Sequence, residues 1–340
     1  MNSRFSLYIF ILVIFFTIFF ILDLFIGSVS IPFKEIFKIL FSSTEVKQEY
    51  HTIIIDFRLP KAITAVLSGA ALSVSGLQMQ TIFKNPLAGP YVLGISSGAS
   101  LGVAILVLGA TSIFSVSNFY LYYNWSVIFA AWIGAAIILL LILLVSTRIS
   151  DIMTILILGI LLGSAITAIV SILQYFSSET ALKSFIIWTF GSLGSVTKSQ
   201  LQLLLPAVFL GLLISIFSIK ILNGFLLGET YAVSIGMNIK FARAVIFVST
   251  SILAGSVTAF CGPIGFVGIA VPHFARILFK TADHRILLIA SIFFGSIFMI
   301  IADIISQLPG FDNILPINSV TALLGIPVIL WIIIKNKRIF

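Results

Sequence analysis

Residues 58–102 read RLPKAITAVLSGAALSVSGLQMQTIFKNPLAGPYVLGISSGASLG, and their reading decides the fold. The stretch opens with two cations around a proline, Arg58 and Lys61. An apolar helix follows, with small residues at Ala65, Gly69, Ser73 and Gly76 on one helical face. Helices in lipid associate by close approach of their backbones, so a stripe of small residues is a packing face. The helix is expected to end in polar Gln78, Gln80 and Lys84 and to break at Asn85-Pro86 and again at Gly89-Pro90. A second helix opens with Gly94, Gly98 and Gly102 at four-residue spacing, another close-packing face. A lipid anchor needs no pair of glycine seams joined by a double-proline turn; a helix pair inside a polytopic bundle does.

The rest of the chain fits such a bundle. Of 340 residues, 60% are hydrophobic and 9% charged, which is too little polar surface for a soluble domain of this length. Apolar runs of roughly 17–25 residues, the length that spans hydrocarbon, recur throughout. The first, Phe5 to Phe25, follows Arg4 as a signal peptide would. It is too long for a signal h-region and no small-residue cleavage site follows, so it reads as a membrane helix. Between Gly27 and Phe57, IPFKEIFKILF alternates apolar and charged residues at helical spacing, as a short helix lying at the interface does. Further spans are expected at 60–82, 91–110, 125–146, 153–175, 200–219, 242–260, 264–279, 286–302 and 319–334. The expected fold class is all-α, a single polytopic membrane domain over 1–340 with about ten transmembrane helices.

An even number of spans places both termini on one side. With the N-terminus inside, the inner segments hold most of the Lys and Arg, among them Arg148, Lys220, Lys240, Arg243, Arg276 and Lys280, while acids outnumber cations outside. The positive-inside rule then makes both termini cytoplasmic. The net charge of +8 is this topology signal, and no block of like charge points to nucleic acid.

Absences narrow the function. No G-x-x-x-x-G-K-[ST] occurs, so the chain carries no P-loop of its own. Asp23, Asp151 and Asp303 all fall near expected helix ends, and the interiors lack the ionisable groups that ion-coupled carriers keep at mid-membrane. Gly94-Ile95-Ser96-Ser97-Gly98 matches the nucleophile-elbow pattern, but that pattern needs a strand-to-helix turn; here it continues a glycine seam and reads as packing. Cys261 is alone, so it makes no intrachain disulfide or cysteine metal site. His273 and His284 flank PHFARILFKTADHR without a second ligand at metal spacing. His273 and Arg276 share a helix face and are expected to cap carbonyls and to pair with Asp283 across the turn. The longest inner loop, about 220–240, is mixed rather than polar, with Phe225, Leu226, Leu227, Ala232 and Val233. Apolar residues there need a cover, from the chain's own helix ends or from a soluble partner.

At this point residues 58–102 closely resemble the signature of the FecCD-type permeases, the membrane subunits of ABC importers for iron–siderophore complexes, haem and vitamin B12. GPIGFVGIAVPHFARILFKTADHRILL resembles the second signature of that family, and Gly228-Glu229, Ala302-Asp303 and Gly325-Ile326-Pro327 fit as well. The resemblance implies a non-enzymatic permease of ten helices in a bacterial plasma membrane, without cofactor or metal, that pairs with a second copy as a homodimer. Two separate ATP-binding subunits supply the energy, and a soluble or lipid-anchored binding protein delivers the substrate. That substrate is expected to be an iron chelate, a siderophore complex or haem, with vitamin B12 as the alternative. Gly228 and Glu229 would then meet the ATPase, and Arg58 and Lys61 acidic residues of the binding protein. Gln307 stands where the vitamin B12 permease has a further arginine. Asn85, Pro86, Pro90, Gly94, Gly98, Pro272, His273, Arg276, Asp283, His284 and Arg285 fall in the motifs as structural residues. Along the fifth span, Gly159, Gly163, Ser164, Thr167 and Ser171 are small or hydroxylated and are expected to line a pathway between two subunits, with the turn from Ile149 to Thr154 as a gate at its mouth. Two other classes stay open beside this one: a secondary carrier working alone, and an intramembrane serine hydrolase resting on Ser96.

Overall fold

Apolar sequence this dense becomes helical in lipid because a helix satisfies its own backbone hydrogen bonds where no water can. In the computed structural model, which describes residues 3–27, 29–41, 47–109, 123–149, 151–307 and 314–335, every regular element is helical. In chain order these are α1 (Ser3–Phe25), the amphipathic α2 (Phe33–Phe41), α3 (Gln48–Ile82) and α4 (Ile95–Gly109). There follow α5 (Tyr123–Arg148), α6 (Ile152–Tyr175), α7 (Glu179–Phe190), α8 (Lys198–Phe217), α9 (Ile219–Leu226) and α10 (Glu229–Ser234). The chain closes with α11 (Ile239–Cys261), α12 (Val267–Phe279), α13 (His284–Ser306) and α14 (Ile317–Lys335). Among the described residues, seven helices are long and apolar enough to cross a membrane: α1, α3, α5, α6, α8, α11 and α13. Three further apolar segments, Ile95–Gly109, Val267–Phe279 and Ile317–Trp331, are shorter.

The axis of the bundle is α3, buried over nearly all of Pro60–Ile82. Its small residues admit neighbouring backbones. Gly69 faces the Gly295 carbonyl of α13 and Gly295 faces the Gly69 carbonyl in return, while Gly76 faces Gly268 of α12; a Cβ at any of these positions would overlap the opposing backbone. The seam of α4 works the same way, with Gly98 against Gly134 of α5 and Gly102 against Ala130.

Two elements differ from the sequence expectation. The helix expected to begin near Pro60 begins at Gln48. A π turn over Ile53–Arg58 carries it into the proline, whose ring and missing N–H would otherwise break the ladder. And α7 occupies a stretch expected to be a loop. Glu179 and Lys183 spoil its hydropathy, yet the Ser178 hydroxyl accepts from the Ala181 N–H at 3.4 Å and caps the helix start.

Candidate functional site

The expected pathway helix α6 divides into two faces. Gly159 is buried, and a Cβ there would overlap the Val92 carbonyl in the short 3-10 turn Pro90–Leu93; Gly163 lies against the Ser97 hydroxyl. Gly159 thus packs closely on this turn, while Gly163 is half-buried beside it. Ser164, Thr167 and Ser171 are exposed, Thr167 one turn beyond Gly163. Each hydroxyl donates to the carbonyl one turn back: Ser164 to Ile160 at 3.0 Å, Thr167 to Gly163 at 2.9 Å and Ser171 to Thr167 at 2.9 Å. The exposed face is uncharged and mostly apolar, with Ile157, Ile160, Leu161 and Ile172 exposed among these hydroxyls, whose donors are already engaged.

The turn that holds α6 in place is built by the proline motif. Asn85 accepts the Leu87 N–H through Oδ1 at 2.9 Å, a side-chain mimic of a backbone turn. Pro90 opens the 3-10 turn, and Gly94 closes it in the left-handed region at φ 73°. The Tyr91 hydroxyl donates to the Ile264 carbonyl.

At the end where α6 starts, Asp151 caps the helix. It accepts from the Thr154 N–H at 2.8 Å, the Thr154 hydroxyl at 2.6 Å and the Met153 N–H at 3.3 Å. The hydroxyl and N–H of Thr154 hold this carboxyl below the usual carboxylate range, and the nearby charge of Arg243 adds to the effect. Residue 150 of the expected gate lies outside the described residues. Arg243 of α11 is 1% exposed and donates to both carboxylate oxygens of Glu229, at 2.7 and 2.8 Å. Gly228 takes φ 103°, which turns α9 into α10 and sets Glu229 at the first position of α10. Around it, Leu226, Leu227, Tyr231, Val233 and Ile235 are exposed. Glu229 was legible in the sequence; Arg243, its partner, was not.

Asp283 and His284 belong to the same end. Asp283 accepts from the Asn223 side chain at 2.8 Å and from the Arg285 N–H at 3.0 Å, and the latter contact lowers its pKa most. The buried His284 ring bridges Asn223 through Nδ1 at 2.8 Å and Thr81 through Nε2 at 2.8 Å, tying α9 and α3 to the start of α13. Arg276 does not reach Asp283 as expected; it donates to Gln80 Oε1. The Gln80 amide in turn donates to the carbonyls of Gly268, at 3.4 Å, and Ile269, at 3.0 Å. The first of these carbonyls is the one that Pro272, lacking an N–H, leaves unbonded. His273 is buried on α12 beside this cluster.

Gln78 is a second polar centre that the sequence hid. Expected near a helix end, it lies wholly buried, accepting from Thr250 at 2.8 Å and donating to Ser215 at 3.0 Å and Ser249 at 3.1 Å. It joins α3 to α8 and α11.

At the opposite end of the bundle, Arg58 is 6% exposed. Its guanidinium donates to the carbonyls of Leu24 at 2.8 Å, Phe25 at 3.0 Å and Val29, where α1 ends. Lys61 pairs with Asp303 at 3.0 Å, and Gln307 donates to the same Asp303 oxygen at 2.9 Å. Asp23 is buried within electrostatic reach of Asp303, Lys61 and Arg58. Both cations are thus engaged inside the chain.

The model describing the FecCD transport family matches residues 13–335. The chain is 36% identical over 282 residues to the vitamin B12 import system permease protein BtuC of Citrobacter koseri, covering 83% of this chain and 82% of that one. It is 35% identical over 282 residues to the protein of the same name from Salmonella typhimurium, covering 83% of each. Among solved structures, an inward-facing conformation of a metal-chelate type ABC transporter superposes with a TM-score of 0.82 at 28% identity, over 96% of this chain and 98% of that one. PsaBC from Streptococcus pneumoniae, in complex with Fab, shares the fold at a TM-score of 0.54 and 19% identity, over 82% of this chain and 91% of that one.

Proposed function

We propose, from the premise that this chain belongs to the FecCD transport family and is an ABC-importer permease, that it carries a large metal chelate inward along a pathway between two copies of itself. The observation that carries this reading is the divided α6. One face is locked onto the Pro90–Leu93 turn through Gly159, and the other presents Ser164, Thr167 and Ser171 with their hydroxyls bonded to their own helix. Such a wall, hydroxyls set among exposed Ile157, Ile160, Leu161 and Ile172, offers no charge and few free donors, so a bulky chelate can pass without being held.

Energy comes from separate ATP-binding subunits that cover the exposed apolar residues around Gly228 and Glu229, the coupling loop of about 220–240. That end faces the cytoplasm of a bacterium, with both termini on the same side of the inner membrane. A soluble or lipid-anchored binding protein delivers substrate at the other end, onto a rim shaped by Arg58 and Lys61. An iron chelate, as a siderophore complex or haem, suits the wall; the relatives named for vitamin B12 import support cobalamin as the second reading.

The test is uptake by the permease reconstituted with its ATPase and binding protein in vesicles, using labelled ferric siderophore, haem and cobalamin in parallel. Ser164→Trp and Thr167→Trp should abolish uptake of the transported chelate while the subunits still co-purify. Uptake at the wild-type rate in both variants would remove α6 from the pathway.

A further inference from the structure

We propose that Asp23 and Asp303 hold a proton between them, buried where the end of α1 meets α3 and α13, and that this proton latches α1 to the bundle. Asp23 lies in the last turn of α1 and is 1% exposed. Both of its carboxyl oxygens are buried, and no donor among the described residues reaches either one. An ionised carboxylate so placed has lost its water and gained no hydrogen bond in return, the arrangement that makes a buried charge costly.

α1 packs chiefly on α13 and α3. The charged groups these helices turn toward Asp23 are Asp303 from α13, and Lys61 and Arg58 from α3. Neither cation supplies the missing donor. Lys61 pairs with Asp303 Oδ2 at 3.0 Å, and Arg58 donates to the carbonyls of Leu24, Phe25 and Val29. Asp303 is well supplied, since Gln307 donates to the same Oδ2 at 2.9 Å. Asp23 receives nothing, yet its carboxyl stands within hydrogen-bonding reach of Asp303. Two carboxylates repel each other, whereas a carboxylic acid bonds to a carboxylate. One proton therefore turns this contact from a repulsion into a charge-assisted hydrogen bond. Asp23 is the donor, because Asp303 already accepts from Lys61 and Gln307.

The joint matters because α1 is thinly held, with 17% of its membrane window buried. At this site the native chain keeps a proton that the unfolded carboxyl releases. The contribution of the latch is full while both states are protonated, and it is lost as rising pH strips the native pair. Two facing carboxylates then push the end of α1 away from α13.

The full-length permease in phosphatidylcholine vesicles is titrated from neutral to alkaline pH and followed by infrared spectroscopy. Wild type should show the C=O stretch of a protonated carboxyl at neutral pH and lose it as pH rises. Asp23→Asn, whose amide donates to Asp303 in place of the proton, should fold and lack that band at every pH. Its melting temperature should fall less across the alkaline range than that of wild type, since no proton leaves the joint. Asp303→Asn should lose the band as well, because the acceptor carboxylate is gone and Asp23 then faces Lys61 and Arg58 alone; Asp23→Asn decides the matter where Asp303→Asn fails to fold. Four results overturn the proposal: no protonated carboxyl in wild type at neutral pH, a band that persists in Asp23→Asn, one that persists unshifted in a folded Asp303→Asn, or equal alkaline losses of melting temperature in wild type and Asp23→Asn.

Discussion

Glu229 grips Arg243 with both carboxylate oxygens, 2.7 and 2.8 Å from one guanidinium nitrogen, and so fastens α10 to α11. Arg243 also lies within electrostatic reach of Asp151, which caps α6. One buried cation thus stands between the exposed loop and the start of the proposed pathway helix.

Replacing Glu229 with Ala should therefore do more than weaken a surface contact. Removing one partner of a buried pair costs about 3–5 kcal/mol; the partial exposure of Glu229 reduces this to roughly 1–3 kcal/mol. The variant should melt lower in detergent and should hydrolyse ATP without matching uptake when assembled. Glu229→Gln, which keeps an acceptor, should recover part of the melting temperature. An Ala variant that melts as wild type would show that Arg243 does not depend on this carboxylate.

Gln78→Leu should lower stability by about 1–2 kcal/mol. The substitution leaves Thr250 without the acceptor it now uses, 2.8 Å away, and removes the donor to Ser215 and Ser249. Thermal melting of the purified permease measures it; no change would mean that the three hydroxyls find equal partners elsewhere.

The glycines should differ by what they face. Gly69→Ala places a methyl group on the Gly295 carbonyl, a backbone atom that can yield only by separating two helices, so a loss of about 1–3 kcal/mol is expected. Gly163→Ala meets only the Ser97 hydroxyl, at 3.3 Å, which can rotate away. It should melt close to wild type. Equal losses in the two variants would sink the distinction.

Acid should loosen the start of α6. The folded-state pKa of Asp151 is lowered, by the contacts to Thr154 above all. Its contribution to stability is therefore present above the unfolded pKa and disappears as pH falls through the folded one. Melting temperature followed across that acidic range should fall less steeply in Asp151→Asn than in wild type. Asp283 is lowered in the same direction and keeps part of the slope in the variant. Identical slopes would exclude Asp151 as a source.

Reversing charge at Arg58 and Lys61 separates two roles. Glutamates at both positions face Asp303 and Asp23 and abandon the carbonyls of Leu24 and Phe25. The Arg58→Glu, Lys61→Glu variant should lose melting temperature before any binding protein is added. If it melts as wild type and only the salt-dependent association rate falls, the two cations serve docking rather than the fold.

The membrane class and the packing seams were legible because each is written in a local pattern: apolar run length for one, small residues on one helical face for the other. Gly69, Gly76 and Gly98 all meet backbone, as their spacing implies. What stayed hidden depends on partners distant in the chain. Gln78 reads as a helix-end residue until Ser215, Ser249 and Thr250 surround it. Arg58 reads as a surface cation until the end of α1 turns three carbonyls toward it. Gly159 and Ser164 look alike as small residues on one helix, and only the position of the Pro90–Leu93 turn shows that one is covered and the other open.

Pro272 and Gln80 carry a consequence for how related sequences can change. The proline leaves the Gly268 carbonyl without its helical donor, and a side chain from another helix supplies the replacement. The same glutamine accepts Arg276, so an unbonded carbonyl of one helix and a charge one turn beyond its proline share a single amide. Restoring a backbone N–H at 272 would release Gln80 from half of that task, and losing Gln80 first would strand both the carbonyl and the guanidinium. The order of change therefore matters: a change at 272 first leaves only the Arg276 guanidinium dependent on Gln80, whereas a change at 80 first strands two groups at once.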